Sequence, residues 1–135
     1  MAYKIEDIEG IGPSYAQKLS MAKIRTTNDL LKICASAHGR VSASEKTGVS
    51  ETQLLKWANL ADLMRVRGIG SEYSELLEAA GVDTVKELRN RNPQNLAAKL
   101  QEINQVKKLS RMTPGAKTVE KWVTEAAKLS PVITY

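Results

Sequence analysis

Two glycine pairs define the chemistry open to this chain. Gly10-Ile11-Gly12 lies near its start and Gly68-Ile69-Gly70 at its middle. Each pair has an aliphatic residue two places before its first glycine (Ile8, Val66). Each is followed by a helical apolar stripe: Tyr15, Leu19 and Ala22 after the first, Tyr73, Leu77 and Ala80 after the second. Glycine reaches positive φ at little cost, so each pair permits a very tight turn between two helices. The aliphatic residue between the glycines can plug the gap where the helices meet. Such a turn delivers free backbone N–H groups at a helix N-terminus, an intrinsic anion site. The same residues equally serve a compact helix connection with an apolar plug, since glycine is common in turns.

The charged side chains near these turns cut both ways. Arg65 and Arg67 flank the second turn and lie within reach of a phosphate there. Lys18 and Lys23 follow the first turn, and Arg25 comes next. Against them, Glu6, Asp7 and Glu9 crowd the first turn, and Glu72 and Glu75 open the helix after the second. A carboxylate in a first helical turn already satisfies the dipole and repels a phosphate. The overall charge of +5 is uneven. Between Lys86 and Lys128, ten Lys or Arg, including Lys107 and Lys108, stand against four Glu, a net of +6, and the rest of the chain is close to neutral. That asymmetry suits a polyanion partner or a solvated basic face.

Other reactive patterns are sparse. Cys34 and His38 are four residues apart and can face one another on a helix, as a nucleophile with its base or as half a metal site. With one Cys and one His in the chain, a zinc site needs two carboxylates, and no acid sits at helical spacing beside the pair. A core thiol and a helix-end imidazole are the preferred interpretation. There is no phosphate-binding loop with its Lys and Ser/Thr, no HExxH, and no paired-carboxylate cluster. The chain therefore reads as non-enzymatic, with no metal and no cofactor. Trp57 and Trp122 fall on apolar helix faces and read as core, not as base-stacking platforms.

The elements that must position the turns are all helical. A short helix is expected over 4–8 and another from Pro13 to about Ala22, with proline where a first turn tolerates it. Thr26 and Asp29 have capping-box-like spacing and start a helix to about Ala37, which Gly39 ends. A short amphipathic piece from about Arg40 to Lys46 is closed by Gly48. Ser50 and Gln53 open a long helix through Leu54, Trp57, Leu60 and Met64, whose broad apolar surface marks it as the most buried. Ser71 to about Ala80 repeats the plan, with Gly81 as C-terminal cap. Thr84 and Glu87 form a capping box for a helix to about Arg91. Asn92-Pro93 begins a longer helix through Leu96, Leu100 and Ile103. Thr113-Pro114 begins the last, with Val119, Trp122, Val123 and Ala126 at i, i+3, i+4, i+7. The tail from Pro131 is extended.

The matches between halves continue in one register through Ile24 and Val82, Thr26 and Thr84, Leu30 and Leu88, which is an internal duplication. No Gly/Ser/Pro-rich linker separates the halves. The expectation is an all-α fold with two repeats, 1–64 and 65–135, sharing one compact core with pseudo-twofold symmetry. A length of 135 residues suits one domain or two small ones. The single cysteine fits a reducing compartment. The first residues carry no apolar signal segment, and no stretch approaches the ~20 apolar residues of a membrane span. A cytoplasmic location away from membranes is the expectation.

Gly10-Ile11-Gly12 and Gly68-Ile69-Gly70 with their flanks resemble helix-hairpin-helix motifs in tandem. The chain as a whole, including Leu54-Leu55-Lys56-Trp57, the run Arg67 to Tyr73, and Asn92-Pro93 to Leu100, resembles the bacterial family DUF4332, to which no function is assigned. In DNA repair and replication proteins that share the hairpin motif, its N–H groups hold duplex phosphates without reading sequence, usually with a basic residue close by. The resemblance thus implies a sequence-independent DNA-binding module. Its contacts would be Gly10, Ile11, Gly12 and Lys18 at the first hairpin and Arg65, Arg67, Gly68, Ile69 and Gly70 at the second, with Lys107 and Lys108 beyond. The departure is in the first turn after each hairpin. DNA-binding hairpins often carry Lys or Arg there, and this chain has Ser14 and Glu72. The alternative is a protein-interaction scaffold whose hairpins are purely structural and whose acidic residues dock a basic partner.

Overall fold

Apolar residues at helical spacing, punctuated by Gly, Pro and Asn, dictate a succession of short helices. A computed structural model describes residues 3–135; residues 1 and 2, with which the first expected repeat begins, lie outside the described residues. The fold is all-α. One 3-10 turn, Ile5–Asp7, precedes eight α-helices: α1 (Pro13–Ser20), α2 (Thr27–Cys34), α3 (Ala37–Thr47), α4 (Glu51–Leu63), α5 (Ser71–Ala79), α6 (Val85–Leu88), α7 (Pro93–Lys107) and α8 (Ala116–Lys128). No helix among the described residues is long and apolar enough to cross a membrane.

Several starts and stops follow the capping chemistry of the sequence. Thr26 Oγ1 accepts from the Asp29 amide at 3.1 Å, and Asp29 accepts back from the Thr26 amide, a complete box. Ser50 and Asn92 cap α4 and α7 without the reciprocal half, each accepting from the amide three residues on. Gly48 closes α3 in the left-handed region.

Three expectations are corrected. The helix expected to run to about Ala37 stops at Cys34, and Gly39 lies inside α3, not at a helix end. Ser36 caps this new start, its hydroxyl accepting from the Gly39 amide. A Cβ on residue 39 would run into the Ile33 carbonyl, so glycine here permits the close approach of α3 to α2. Thr84 makes no side-chain cap. The start of α6 is served instead by Asp62, which reaches across from α4 and accepts from the Val85 amide at 3.0 Å. The last helix is capped at Gly115, two residues later than Thr113.

Buried apolar residues fall into two clusters. The first holds Ile5, Ile8, Leu19, Ile24, Leu30, Leu54, Trp57 and Leu60 among others. The second holds Leu63, Ile69, Leu76, Leu77, Val82, Leu88, Leu100 and Trp122. The helix α4 feeds both, and eight of its 13 residues are buried, more than in any other helix. The two clusters are therefore tied through one continuous backbone element. After α8 the chain turns back as an extended segment: Thr134 N–H donates to Ala35 O at 2.8 Å, and Ile133 packs against the first cluster.

Candidate nucleic-acid interface

The two glycine-framed turns have matching local geometry. Gly10 and Gly68 both take φ +94°, a conformation open to glycine and strained for other residues. In each turn the central isoleucine points its amide inward: Ile11 N–H donates to Ile8 O and Ile69 N–H to Val66 O, both at 3.1 Å. Ile11 and Ile69 are buried plugs. Gly12 and Gly70 then take extended backbone and cap α1 and α5.

An indole lies under each turn. A Cβ added at Gly10 would stand 3.8 Å from Trp57 Nε1, and one at Gly68 would stand 3.3 Å from Trp122 Nε1. Tyr15 packs on Trp57 and Tyr73 on Trp122, each with ring centroids 5.0 Å apart. Both tryptophans are core residues. They support the turns from beneath and present no face to a base.

Neither α1 nor α5 carries a side-chain cap on its first-turn amides, because the capping residue is glycine in both. Those donors are the orphan N–H groups of a helix start. Their surroundings differ. Pro13 removes one donor from α1, and no acid lies within its first turn. At α5, Glu72 accepts from the backbone N–H of Arg111 at 2.9 Å and from its Nε–H at 3.1 Å. The Arg111 amide, followed by the charge of its guanidinium, holds the Glu72 carboxyl below its ordinary range. Glu9, from the first turn, accepts from the Ser71 hydroxyl at 3.4 Å and so stands beside the start of α5. Glu75 is raised above its ordinary value, first by desolvation and then by the charges of Glu9 and Glu78. Lys108, in the left-handed region at the end of α7, lines the same cleft as Glu9, Glu72 and Glu75.

The basic residues nominated from sequence are placed unequally. Arg67 is exposed and lies beside the second turn, next to Glu120, Lys121 and Glu125 of α8. Lys18 is exposed on α1, with Nζ 5.5 Å from the Tyr15 ring centroid. Lys107 is exposed in the last turn of α7. Arg65 is already engaged: its Nη2 and Nε bond Asp62 Oδ1 at 2.7 and 2.9 Å, and Nη2 also donates to Ser130 O at 2.8 Å. Sequence reasoning did not find Arg111, which is 39 residues from the carboxylate it binds. No local signal marks that contact. Asp62 had a signal, an acid on the apolar surface of α4.

Cys34 and His38 fall on different helices. Cys34 is fully buried in α2, and burial pushes its thiol up to about 11. His38 is exposed on α3.

No curated protein and no solved structure matches the chain. A family described as a domain of unknown function, DUF4332, matches residues 9–129, from the first turn to the end of α8. With nearly its whole length covered, the chain belongs to the DUF4332 family.

Proposed function

We propose that this chain is a non-enzymatic, sequence-independent DNA-binding module. In this reading it is built from two helix-hairpin-helix repeats, 1–64 and 65–135, related by pseudo-twofold symmetry and acting in the cytoplasm. One observation carries it: Gly10 and Gly68 share the same left-handed φ, and each leads through a second glycine into a helix whose first amides no side chain caps. Phosphate oxygens are the acceptors such donors suit. Arg67 supplies charge at the second hairpin and Lys18 at the first, while Lys107 and Lys108 extend the positive field. Contacts of this kind position a protein on the backbone and specify no base.

A scaffold function, with a basic protein partner, is the second reading. It is favoured by the carboxylates Glu9, Glu72 and Glu75, which gather in the cleft beside α5.

Gel mobility shifts with two duplexes of unrelated sequence separate these readings. The DNA reading expects similar affinity for both duplexes, with log K falling against log salt by about 0.9 per phosphate contact. Arg67→Glu should weaken both alike. Absence of any shift at low salt would sink it, and a pull-down partner retained after nuclease treatment would favour the scaffold.

A further inference from the structure

The segment after α8 is held in an unusual way. Its contacts are few and made largely through its main chain. Ser130 O accepts from Arg65 Nη2 at 2.8 Å, Thr134 O accepts from Arg40 Nη2 at 2.7 Å, and Thr134 N–H donates to Ala35 O at 2.8 Å. Of its side chains only Ile133 is partly buried, against the first cluster. Pro131, Val132, Thr134 and Tyr135 are exposed. Leu129, just before it, packs on the second cluster. The segment thus spans from one cluster to the other on the outside of the fold, over a cleft lined by Asp62, Thr84, Lys86, Glu87 and Asn90.

The groups that receive it do not depend on it. Arg40 is 5% exposed, and its Nη1 also donates to Cys34 O and Ala35 O, each at 3.0 Å, which fixes it on the C-terminal carbonyls of α2. Arg65 is fixed by Asp62. Both guanidinium groups therefore have partners outside the segment. Ordering six residues costs conformational entropy that four hydrogen bonds, the longest from the Thr134 hydroxyl to Ala35 O at 3.5 Å, and one half-buried isoleucine barely offset.

We infer that residues 130–135 form a reversible strap, clasped at its two ends by Arg65 and Arg40, which opens while both core clusters remain folded. Closed, it ties the clusters together from outside, as the continuous helix α4 does from within. Open, it uncovers the edge of Arg40 and the slot left by Ile133. This inference stands apart from the DNA-binding proposal and does not need it.

Native-state hydrogen exchange of the full chain tests the strap. The Thr134 amide should exchange through a local opening, with protection roughly ten- to a thousandfold, well below that of Leu60 and Leu77 in the cores. In Arg40→Met, Thr134 should exchange roughly tenfold faster, the loss expected for one charge-assisted hydrogen bond. Should that variant fold poorly, Ile133→Ala loosens the strap without touching either arginine and should show the same selective gain at Thr134. Equal protection at Thr134 and the core amides would overturn the inference, since the segment would then open only with global unfolding. Exchange of Thr134 at the unprotected rate would overturn it too, because nothing would be clasped. So would protection that rises with protein concentration, which would mean the segment sits on a second copy.

Discussion

Asp62 Oδ1 lies 2.7 Å from Arg65 Nη2, and Asp62 is 1% exposed, the one acid among the buried polar residues described. Its other oxygen accepts the Val85 amide and starts α6. One carboxylate thereby joins the end of α4, the start of α6 and, through Arg65, the exit of α8.

Removing either partner should be costly. Asp62→Ala strands a guanidinium and leaves α6 uncapped, and a broken buried pair costs about 3–5 kcal/mol. Arg65 retains some solvent contact, so the lower end is expected. Urea unfolding of Asp62→Ala measures the loss, and a change below about 1 kcal/mol would reduce the contact to an ordinary surface pair.

The two turn glycines should respond unequally to a methyl group. Both Gly10→Ala and Gly68→Ala impose alanine on a left-handed φ, at roughly 1–2 kcal/mol. At Gly68 the new Cβ also presses to 3.3 Å on Trp122 Nε1, whereas at Gly10 the nearest atom is at an ordinary 3.8 Å. Gly68→Ala should therefore be the more destabilising in thermal melts. The reverse order would show that the second indole yields more freely than its packing implies.

Cys34 should make stability fall at alkaline pH. Its folded pKa, about 11, lies above the ordinary value of 9.0, because burial disfavours the thiolate. The contribution is complete below pH 9 and is lost as pH rises toward 11, since the unfolded chain releases its proton first. In Cys34→Ala that part of the alkaline decline should vanish. The wild-type thiol should also resist alkylation at pH 8 until the chain unfolds, and rapid labelling of folded protein would contradict its burial.

Glu75 should be better as glutamine. Its pKa is raised, first by desolvation and then by repulsion from Glu9 and Glu78, so the ionised form weighs against folding above the unfolded pKa. Glu75→Gln should raise the melting temperature at pH 7 and lose that advantage near pH 4. If the cleft repels phosphates, the same change should tighten any duplex binding seen in the mobility assay. A lower melting temperature at pH 7 would mean that the carboxylate has a favourable partner.

Much of this architecture was legible in the residues. The Thr26–Asp29 box, Asn92-Pro93 and Gly48 mark helix ends by local chemistry, and the apolar surface of α4 announces its burial. Gly39 misled because a glycine after an apolar stripe looks like a stop, when its purpose is the contact of α3 with the Ile33 carbonyl. Thr84 misled for a similar reason: a distant acid, Asp62, serves the start of α6 through the Val85 amide, while the Thr84 hydroxyl makes no cap. At the candidate interface the turns could be found from spacing, and so could the Arg65–Asp62 pair, three residues apart at the end of α4. The contacts of Arg65 with Ser130 and of Arg111 with Glu72 could not, because they join segments far apart in sequence, where no periodicity reports.

Trp57 belongs to the first cluster and Trp122 to the second, each packed against its own tyrosine. The molecule thus carries one tryptophan per core. Replacing either indole by phenylalanine leaves an emission signal that watches the other core alone, so the two could be melted side by side and their cooperativity read directly from whether the curves superimpose.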